Sequence, residues 1–142
     1  METHYIAELP QPTLDSQAFW DGCQRQQLLL QHCGSCRHVF YYARRLCPAC
    51  GCSELSWQAS SGRGTVYSAS QVQVAFQGPH WQSQLPYTVV LVDLEEGPRM
   101  LSRWAGGPEH RPQMGQRVRV RFVQVQQEQW LPFFEPDEGQ RA

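Results

Sequence analysis

The chain has 142 residues, of which 41% are hydrophobic, with 12 basic and 13 acidic residues and a formal net charge of −1 at pH 7. This length and composition predict a globular protein of one domain or two very small ones, and they exclude a disordered chain. The balanced charge argues against a protein that binds nucleic acid nonspecifically, because such proteins carry an overall basic excess.

Residues 1–12 contain no basic patch followed by an apolar run. No stretch of the chain approaches the roughly 18 apolar residues of a membrane span, so we expect a cytoplasmic protein. From Leu14 onward, apolar residues recur three and four positions apart, which predicts a helix of about three turns with Thr13 as its N-cap. Residues 28–30 leave helical spacing and predict a strand. We assign 1–30 to an N-terminal helical segment.

Two CxxC pairs follow, formed by Cys33 with Cys36 and by Cys47 with Cys50. A two-residue gap lets both thiolates of a pair approach one ion at about 2.3 Å, and two pairs complete the tetrahedron that zinc prefers. The spacing therefore predicts a zinc ribbon over residues 31–58. Because four thiolates leave no open coordination position, the zinc would be structural. Two disulfides are the alternative, expected mainly in an exported chain.

Two further cysteines lie outside this pattern. Cys52 stands two residues beyond Cys50 and could compete as a ligand, but a completed four-sulfur site does not require it. Cys23 lies among the helical residues and is most simply a small packed side chain. A catalytic Cys23 is a weak alternative, because no histidine stands near it in the sequence.

From residue 59 onward the apolar period changes to two residues, which predicts strands. The expected strands are 65–76, 87–94, 99–104, 118–125 and 130–134, with a loop over 77–86. Five strands of this kind, with a long first strand and a glycine-rich start, fit a small closed barrel of the oligonucleotide/oligosaccharide-binding (OB) type over 59–136. Residues 137–142 are expected to form a disordered tail.

These motifs together resemble the zinc-ribbon plus OB-fold proteins that accompany thiolase-like enzymes of acyl-CoA metabolism, the domain of unknown function 35 (DUF35) family. The resemblance covers about 14–136. The motifs that carry it are Phe19-Trp20, 28–33 (LLLQHC), the two CxxC pairs, 61–68 (SGRGTVYS), 86–92 (PYTVVLV), 114–115 (MG) and 131–134 (LPFF). Cys52 departs slightly from the family pattern.

The resemblance implies a mainly β fold with an N-terminal helix, a rubredoxin-like zinc ribbon and a five-stranded OB barrel. It implies an accessory subunit that is not an enzyme on its own and carries a structural zinc. Such a subunit would bind CoA or acyl-CoA beside a thiolase-like or hydratase-like partner in a hetero-oligomer.

The candidate CoA ligands are three arginines and three aromatic residues of the ribbon and its surroundings: Arg44, Arg45, Arg63, Phe40, Tyr41 and Tyr42. Arginine pairs with phosphate in bidentate fashion, and the aromatic rings could stack on adenine. The alternatives are solvated arginines, and aromatic rings that pack the ribbon on the barrel or face a partner.

Two other functions are weighed against this one. The first is a protein that binds single-stranded nucleic acid, because zinc ribbons and OB barrels both serve that role. The second is an enzyme with His32, His38, His80 or His110 as general base, although none of them stands in a recognisable catalytic spacing.

Overall fold

The computed structural model describes residues 9–107 and 109–138. The helices and strands of this part of the chain are α1 (Gln17–Gln24), β1 (Leu29–Cys33), β2 (Val39–Phe40), β3 (Leu55–Ala59), β4 (Arg63–Val72), α2 (Pro79–Ser83), β5 (Tyr87–Leu94), β6 (Arg99–Arg103), β7 (Arg117–Gln126) and β8 (Gln129–Pro136). The predicted fold class is confirmed. A helix, a zinc-ribbon region and a nearly closed five-stranded barrel follow one another along the chain.

The ribbon is a three-stranded antiparallel sheet in the order β2-β1-β3. Its central strand, β1, pairs with β2 through Gln31 and Phe40 and with β3 through the register Leu29 to Ala59. Strand β1 extends over residues 29–33 and so crosses the predicted boundary between the helical segment, 1–30, and the zinc ribbon, 31–58. The domain boundaries therefore stay a prediction.

The barrel has the strand order β6-β5-β4-β7-β8. Its two outer strands approach each other at a parallel bridge between Trp104 and Phe134, where the amide of Ala105 donates to the carbonyl oxygen of Phe134 at 2.7 Å. These contacts nearly close the sheet, which leaves few strand edges exposed.

Helix α1 differs from its prediction because its 8 residues make only about two turns. It begins after Ser16, not after Thr13. The reason is a turn in which the amide of Thr13 donates to Oγ of Ser16 at 2.9 Å and the amide of Ser16 donates to Oγ1 of Thr13 at 3.2 Å. The helix ends near Gln26, whose φ of 60° turns the chain toward β1.

One hydrophobic core joins the helix, the ribbon and the barrel. Its buried residues are Phe19, Cys23, Leu28, Leu30, Val66, Val90, Val92, Leu94, Met100, Trp104, Val118 and Phe134. Cys23 is completely buried, and this burial raises the pKa of its thiol to about 12. Cys23 is therefore a packed side chain and not an activated nucleophile.

The strand predicted over 65–76 ends earlier, at Val72. The loop predicted over 77–86 contains the short helix α2, with Pro79 in its first turn after Gly78. A helix of five residues is too short to show a helical period in the sequence, so periodicity could not predict it.

Gly64 is required by the close approach of β4 to β5. A methyl group added at this position would clash with the carbonyl oxygen of Asp93 and would lie 2.7 Å from Cγ1 of Val92. The glycine-rich start of the barrel, which the sequence shows at 62–64, is therefore a packing requirement.

We expect Gly64→Ala to lower the free energy of unfolding by about 1–3 kcal/mol, because the backbone of β5 would have to move. Ser70→Ala, on an exposed position of the same strand, is the matched control and should change it by less than about 0.5 kcal/mol. Urea unfolding monitored by circular dichroism measures both. Equal midpoints for the two variants would contradict the packing argument.

Candidate functional site

The four cysteines of the CxxC pairs converge on one point. Their sulfur atoms all lie within 4.8 Å of one another, and the distances from Cys33 to Cys50 and from Cys36 to Cys47 are both 3.6 Å. Four sulfurs each about 2.3 Å from one zinc would be separated by about 3.8 Å. The sulfur positions therefore fit a tetrahedral zinc ion and support the predicted structural zinc.

Backbone amides point at two of these sulfurs. The amides of Cys36 and Ser35 donate to Sγ of Cys33 at 3.5 and 3.4 Å, and that of Ala49 donates to Sγ of Cys47 at 3.4 Å. The amide of Cys36 is the main reason why the pKa of the Cys33 thiol falls to about 6. These amides thus favour the thiolate form of Cys33, which is the form that binds metal.

Cys52 lies beside this group and not in it. Its sulfur accepts the amide of Glu54 at 3.4 Å, and its side chain packs against the small ribbon core formed by Cys33, Phe40 and Cys47. None of the six cysteines forms a disulfide.

A cleft of about 500 Å³ lies between the ribbon and the turn from β5 to β6. From the ribbon it is lined by Arg37, His38, Val39, Phe40, Tyr41, Tyr42, Arg44 and Pro48, and from the turn by Glu96, Gly97, Pro98 and Arg99. The structure therefore brings four of the six candidate CoA ligands together. We call this cavity the ribbon cleft.

A pair of hydrogen bonds holds the aromatic segment that forms one wall of the ribbon cleft. Gln31, whose side chain is buried in β1, donates from Nε2 to the carbonyl oxygen of Arg44 at 2.9 Å and accepts the amide of Arg44 at 2.8 Å. Because only backbone atoms of Arg44 are used, its guanidinium stays available to the cleft.

The three aromatic candidates differ in accessibility. Phe40 is buried against the cysteines, and Tyr41 is half-buried with its ring 5.6 Å from that of Phe19. Burial also raises the pKa of Tyr41. Tyr42 is 62% exposed and lies 4.7 Å from Tyr41, so it is the ring most available for stacking on a ligand.

The basic residues of the ribbon cleft also differ. Arg99 is committed to an ion pair with Asp93 at 2.6 Å, and its guanidinium lies 3.4 Å above the ring of Tyr67. Within the described residues, Arg37 and Arg44 have no ion-pair partner. These two guanidinium groups are therefore free to meet an anion. The sequence does not single out Arg37, although its place next to Cys36 is the signal that could have done so.

Arg45 and Arg63 are not among the lining residues of the ribbon cleft. Arg45 pairs with Asp15 at 2.8 Å, and this pairing raises the pKa of Arg45. Arg63 lies at the start of β4, where its Nε is 3.6 Å from Oδ2 of Asp137. Residues that are neighbours in sequence need not share a surface, so Arg45 and Arg63 lie apart from the arginines that line the ribbon cleft.

Asp137, the first residue of the predicted tail, packs against the barrel. Its side chain is 1% exposed, and its amide donates to the carbonyl oxygen of Arg117 at 3.1 Å. Neither carboxylate oxygen has a hydrogen-bond partner among the described groups, so the nearby Arg63 supplies the charge that offsets it. Residues 139–142 of the predicted tail lie outside the described residues.

The three histidine candidates whose side chains the structure describes, His32, His38 and His110, are not assembled into a catalytic group. His32 lies in β1, and the ring of His38 stacks on Phe40 with centroids 5.8 Å apart. His110 has a carboxylate nearby, that of Glu109 at 3.9 Å, but both side chains are more than 70% exposed. The side chain of His80 lies outside what the structure describes.

In the described part of the chain, no helix is long and apolar enough to cross a membrane.

Two family models match consecutive parts of the chain. The rubredoxin-like zinc ribbon domain of ChsH2 matches residues 20–56, and the C-terminal OB-fold domain of ChsH2 matches residues 57–123. The first range contains the four cysteines of the ribbon, and the second contains strands β4 to β6 and part of β7 of the barrel.

Curated relatives include subunits and scaffold proteins. The chain is 30% identical over 129 residues to a probable enoyl-CoA hydratase alpha subunit of Thermomonospora curvata, covering 89% of this chain and 40% of that protein. It is 32% identical over 136 residues to the 3-oxo-4,17-pregnadiene-20-carboxyl-CoA hydratase alpha subunit of Mycobacterium tuberculosis, covering 91% of this chain and 40% of that protein. The chain thus spans about two-fifths of the length of these relatives.

We expect the purified protein to carry about one zinc per chain and Cys33→Ser to lose most of it, because the tetrahedron then lacks a thiolate. Cys52→Ser is the matched control and should keep its zinc, since Cys52 lies outside the sulfur group. Zinc quantified by mass spectrometry after gel filtration measures both. Equal loss in the two variants would contradict the ligand assignment.

We expect Arg63→Ala to lower the free energy of unfolding by about 1–2 kcal/mol, because it leaves the buried carboxylate of Asp137 uncompensated. The loss stays below that of a fully buried pair because Arg63 is half-exposed. Arg45→Ala, which breaks an exposed pair, should destabilise the protein clearly less than Arg63→Ala does. Chemical unfolding measures both, and adding Asp137→Asn to Arg63→Ala should restore stability. A double variant no more stable than Arg63→Ala would contradict the argument.

Solved structures and a further relative extend the likeness. The chain superimposes on the Ltp2-ChsH2(DUF35) aldolase with a TM-score of 0.78 at 27% identity, covering 90% of this chain and 98% of that one. It is also 30% identical over 106 residues to a DUF35 domain-containing scaffold protein of Methanothermobacter thermautotrophicus, covering 74% of this chain and 78% of that protein. With its zinc ribbon and OB-fold barrel, this chain belongs to the DUF35 family.

Proposed function

We propose that this chain is an accessory subunit that holds the CoA part of an acyl-CoA while a thiolase-like or hydratase-like partner carries out the reaction. The observation that carries the proposal is the ribbon cleft, which is lined by Arg37, Arg44 and the exposed Tyr42. The two arginines have no ion-pair partner among the residues that the structure describes. A phosphate-rich ligand with an aromatic base matches this combination.

The chemistry of the ribbon cleft is electrostatic. CoA carries several phosphate charges, and a guanidinium fork donates two parallel hydrogen bonds to a phosphate group. All basic residues of the chain are arginines, since the sequence contains no lysine. Arg37 and Arg44 would bind phosphate oxygens, and Tyr42 would stack on the adenine. The proposed ligand set is therefore Arg37, Arg44 and Tyr42, with Phe40 and Tyr41 in the wall of the cleft, and it does not include Arg45 and Arg63.

The zinc would support the ribbon cleft without taking part in a reaction. With Cys33, Cys36, Cys47 and Cys50 as ligands, the ion has no open position, so it contributes folding stability and does not activate water. The acyl group would be transformed by residues of the partner.

The names of the relatives support a partner. Proteins similar to this chain are called hydratase alpha subunits and scaffold proteins, and one solved relative is an Ltp2-ChsH2 aldolase. The described surface also exposes large apolar side chains, which often mark interfaces. They are Leu14, Tyr42, Leu46, Tyr67, Val74, Phe76, Leu101 and Met114. We therefore expect a hetero-oligomer.

We expect CoA to bind the zinc-loaded protein and Arg44→Gln to weaken this binding by about tenfold to a hundredfold, the effect of losing a charge-assisted hydrogen bond. Arg45→Gln is the matched control, because Arg45 is next to Arg44 in the sequence but its side chain pairs with Asp15 outside the cleft. Isothermal titration measures both affinities. The backbone hydrogen bonds between Gln31 and Arg44 remain in the Arg44 variant, so the ribbon should stay folded.

Two outcomes would contradict the proposal. The first is an equal loss of affinity in Arg44→Gln and Arg45→Gln, which would place the nucleotide elsewhere. The second is no CoA binding by the isolated protein together with tight, salt-sensitive binding of a single-stranded oligonucleotide, which would favour the nucleic-acid alternative.

A further inference from the structure

A second cavity lies between α1 and the turn that joins β7 to β8, outside the ribbon cleft. It has a volume of about 290 Å³, and the lining residues that matter here are Trp20, Asp21, Glu128 and Trp130. We call it the tryptophan groove. Nothing in the proposed binding of CoA uses these residues.

The walls of the tryptophan groove are fixed by the core. Trp20 and Trp130 are half-buried and pack against the hydrophobic core, and the ring of Trp20 makes an edge-on contact with that of Phe19 at 5.0 Å. Beside them, Nε2 of Gln129 donates to the carbonyl oxygen of Pro10 at 3.0 Å and ties the turn to the segment before α1. The indole surfaces are therefore held in place before any ligand arrives.

The charged residues that line the tryptophan groove, Asp21 and Glu128, are both acidic. Oδ1 of Asp21 accepts a hydrogen bond from Gln17 at 2.8 Å, and Glu128 has no ion-pair partner within the described residues. No arginine is among the described residues that line this cavity. Its charge is opposite to that of the ribbon cleft, where Arg37 and Arg44 are unpaired.

We propose that the tryptophan groove binds an arginine side chain that a partner protein presents. A guanidinium group is planar and stacks on aromatic rings, and its N–H donors can reach carboxylates at the same time. The tryptophan groove offers two indole rings for stacking and two carboxylates as hydrogen-bond acceptors. Interfaces draw much of their affinity from such tryptophan and arginine contacts. The inference rests on the proposed role as a subunit, since it requires a partner.

The test is a titration of the zinc-loaded, ¹⁵N-labelled protein with N-acetylarginine amide, followed by NMR at the indole N–H signals. The signals of Trp20 and Trp130 should shift, and those of Trp57, Trp81 and Trp104 should stay in place. N-acetylglutamine amide, which lacks the charge, should cause no such shifts. The double variant Asp21→Asn/Glu128→Gln should lower the affinity for N-acetylarginine amide by at least about fivefold, because both carboxylates contribute to binding.

Both acidic side chains are exposed, so the double variant should fold normally. Glu109→Gln, at an exposed acid that does not line the groove, is the matched control and should leave the affinity unchanged. Shifts that spread evenly over all five tryptophans, or an unchanged affinity in the double variant, would overturn the proposal. So would choline binding as tightly as the arginine probe, because the site would then not select a guanidinium group. The affinity for CoA tests the ribbon cleft alone, and the affinity for the arginine probe tests the tryptophan groove alone. A failure of either proposal can therefore be told apart from a failure of the other.

Discussion

The convergence of four cysteine sulfurs is the constraint on which the candidate site depends. The ribbon buries little apolar surface of its own, since its small core consists of Cys33, Phe40 and Cys47. A metal ion held by the cysteines can supply folding free energy that such a core cannot. The two CxxC turns bracket the segment that carries Arg37, Tyr42 and Arg44, so the sulfur geometry also sets the wall of the ribbon cleft. The Gln31 side chain then fixes that segment to β1.

The surface separates two kinds of chemistry. The ribbon cleft offers unpaired arginines beside an exposed tyrosine, and the tryptophan groove offers carboxylates beside two indoles. With a net charge of −1 the whole molecule is nearly neutral, so neither property follows from composition. The proposed role would use such a division, because the subunit would meet an anionic ligand with one surface and a protein with another. The barrel contributes the rigid frame that carries both.

The sequence predicted most of the fold and only part of the site. Zinc spacing is local, so the cysteine pairs could be found without a structure, and alternation gave the barrel strands. The side on which an arginine lies depends on tertiary packing. Arg44 and Arg45 are neighbours, yet one lines the ribbon cleft and the other pairs with Asp15. The burial of Asp137 could not be predicted for the same reason, because it depends on contacts with β4 and β7, which are distant in the sequence.

Amide hydrogen exchange of the zinc-loaded protein, with and without saturating CoA, is the most direct test of CoA binding at the ribbon cleft. CoA should slow exchange in residues 37–48 and 96–99, which contain the residues that line the ribbon cleft, and should leave residues 103–107, at the opposite end of strand β6, unchanged. Protection concentrated around residues 103–107, or no protection anywhere, would contradict it.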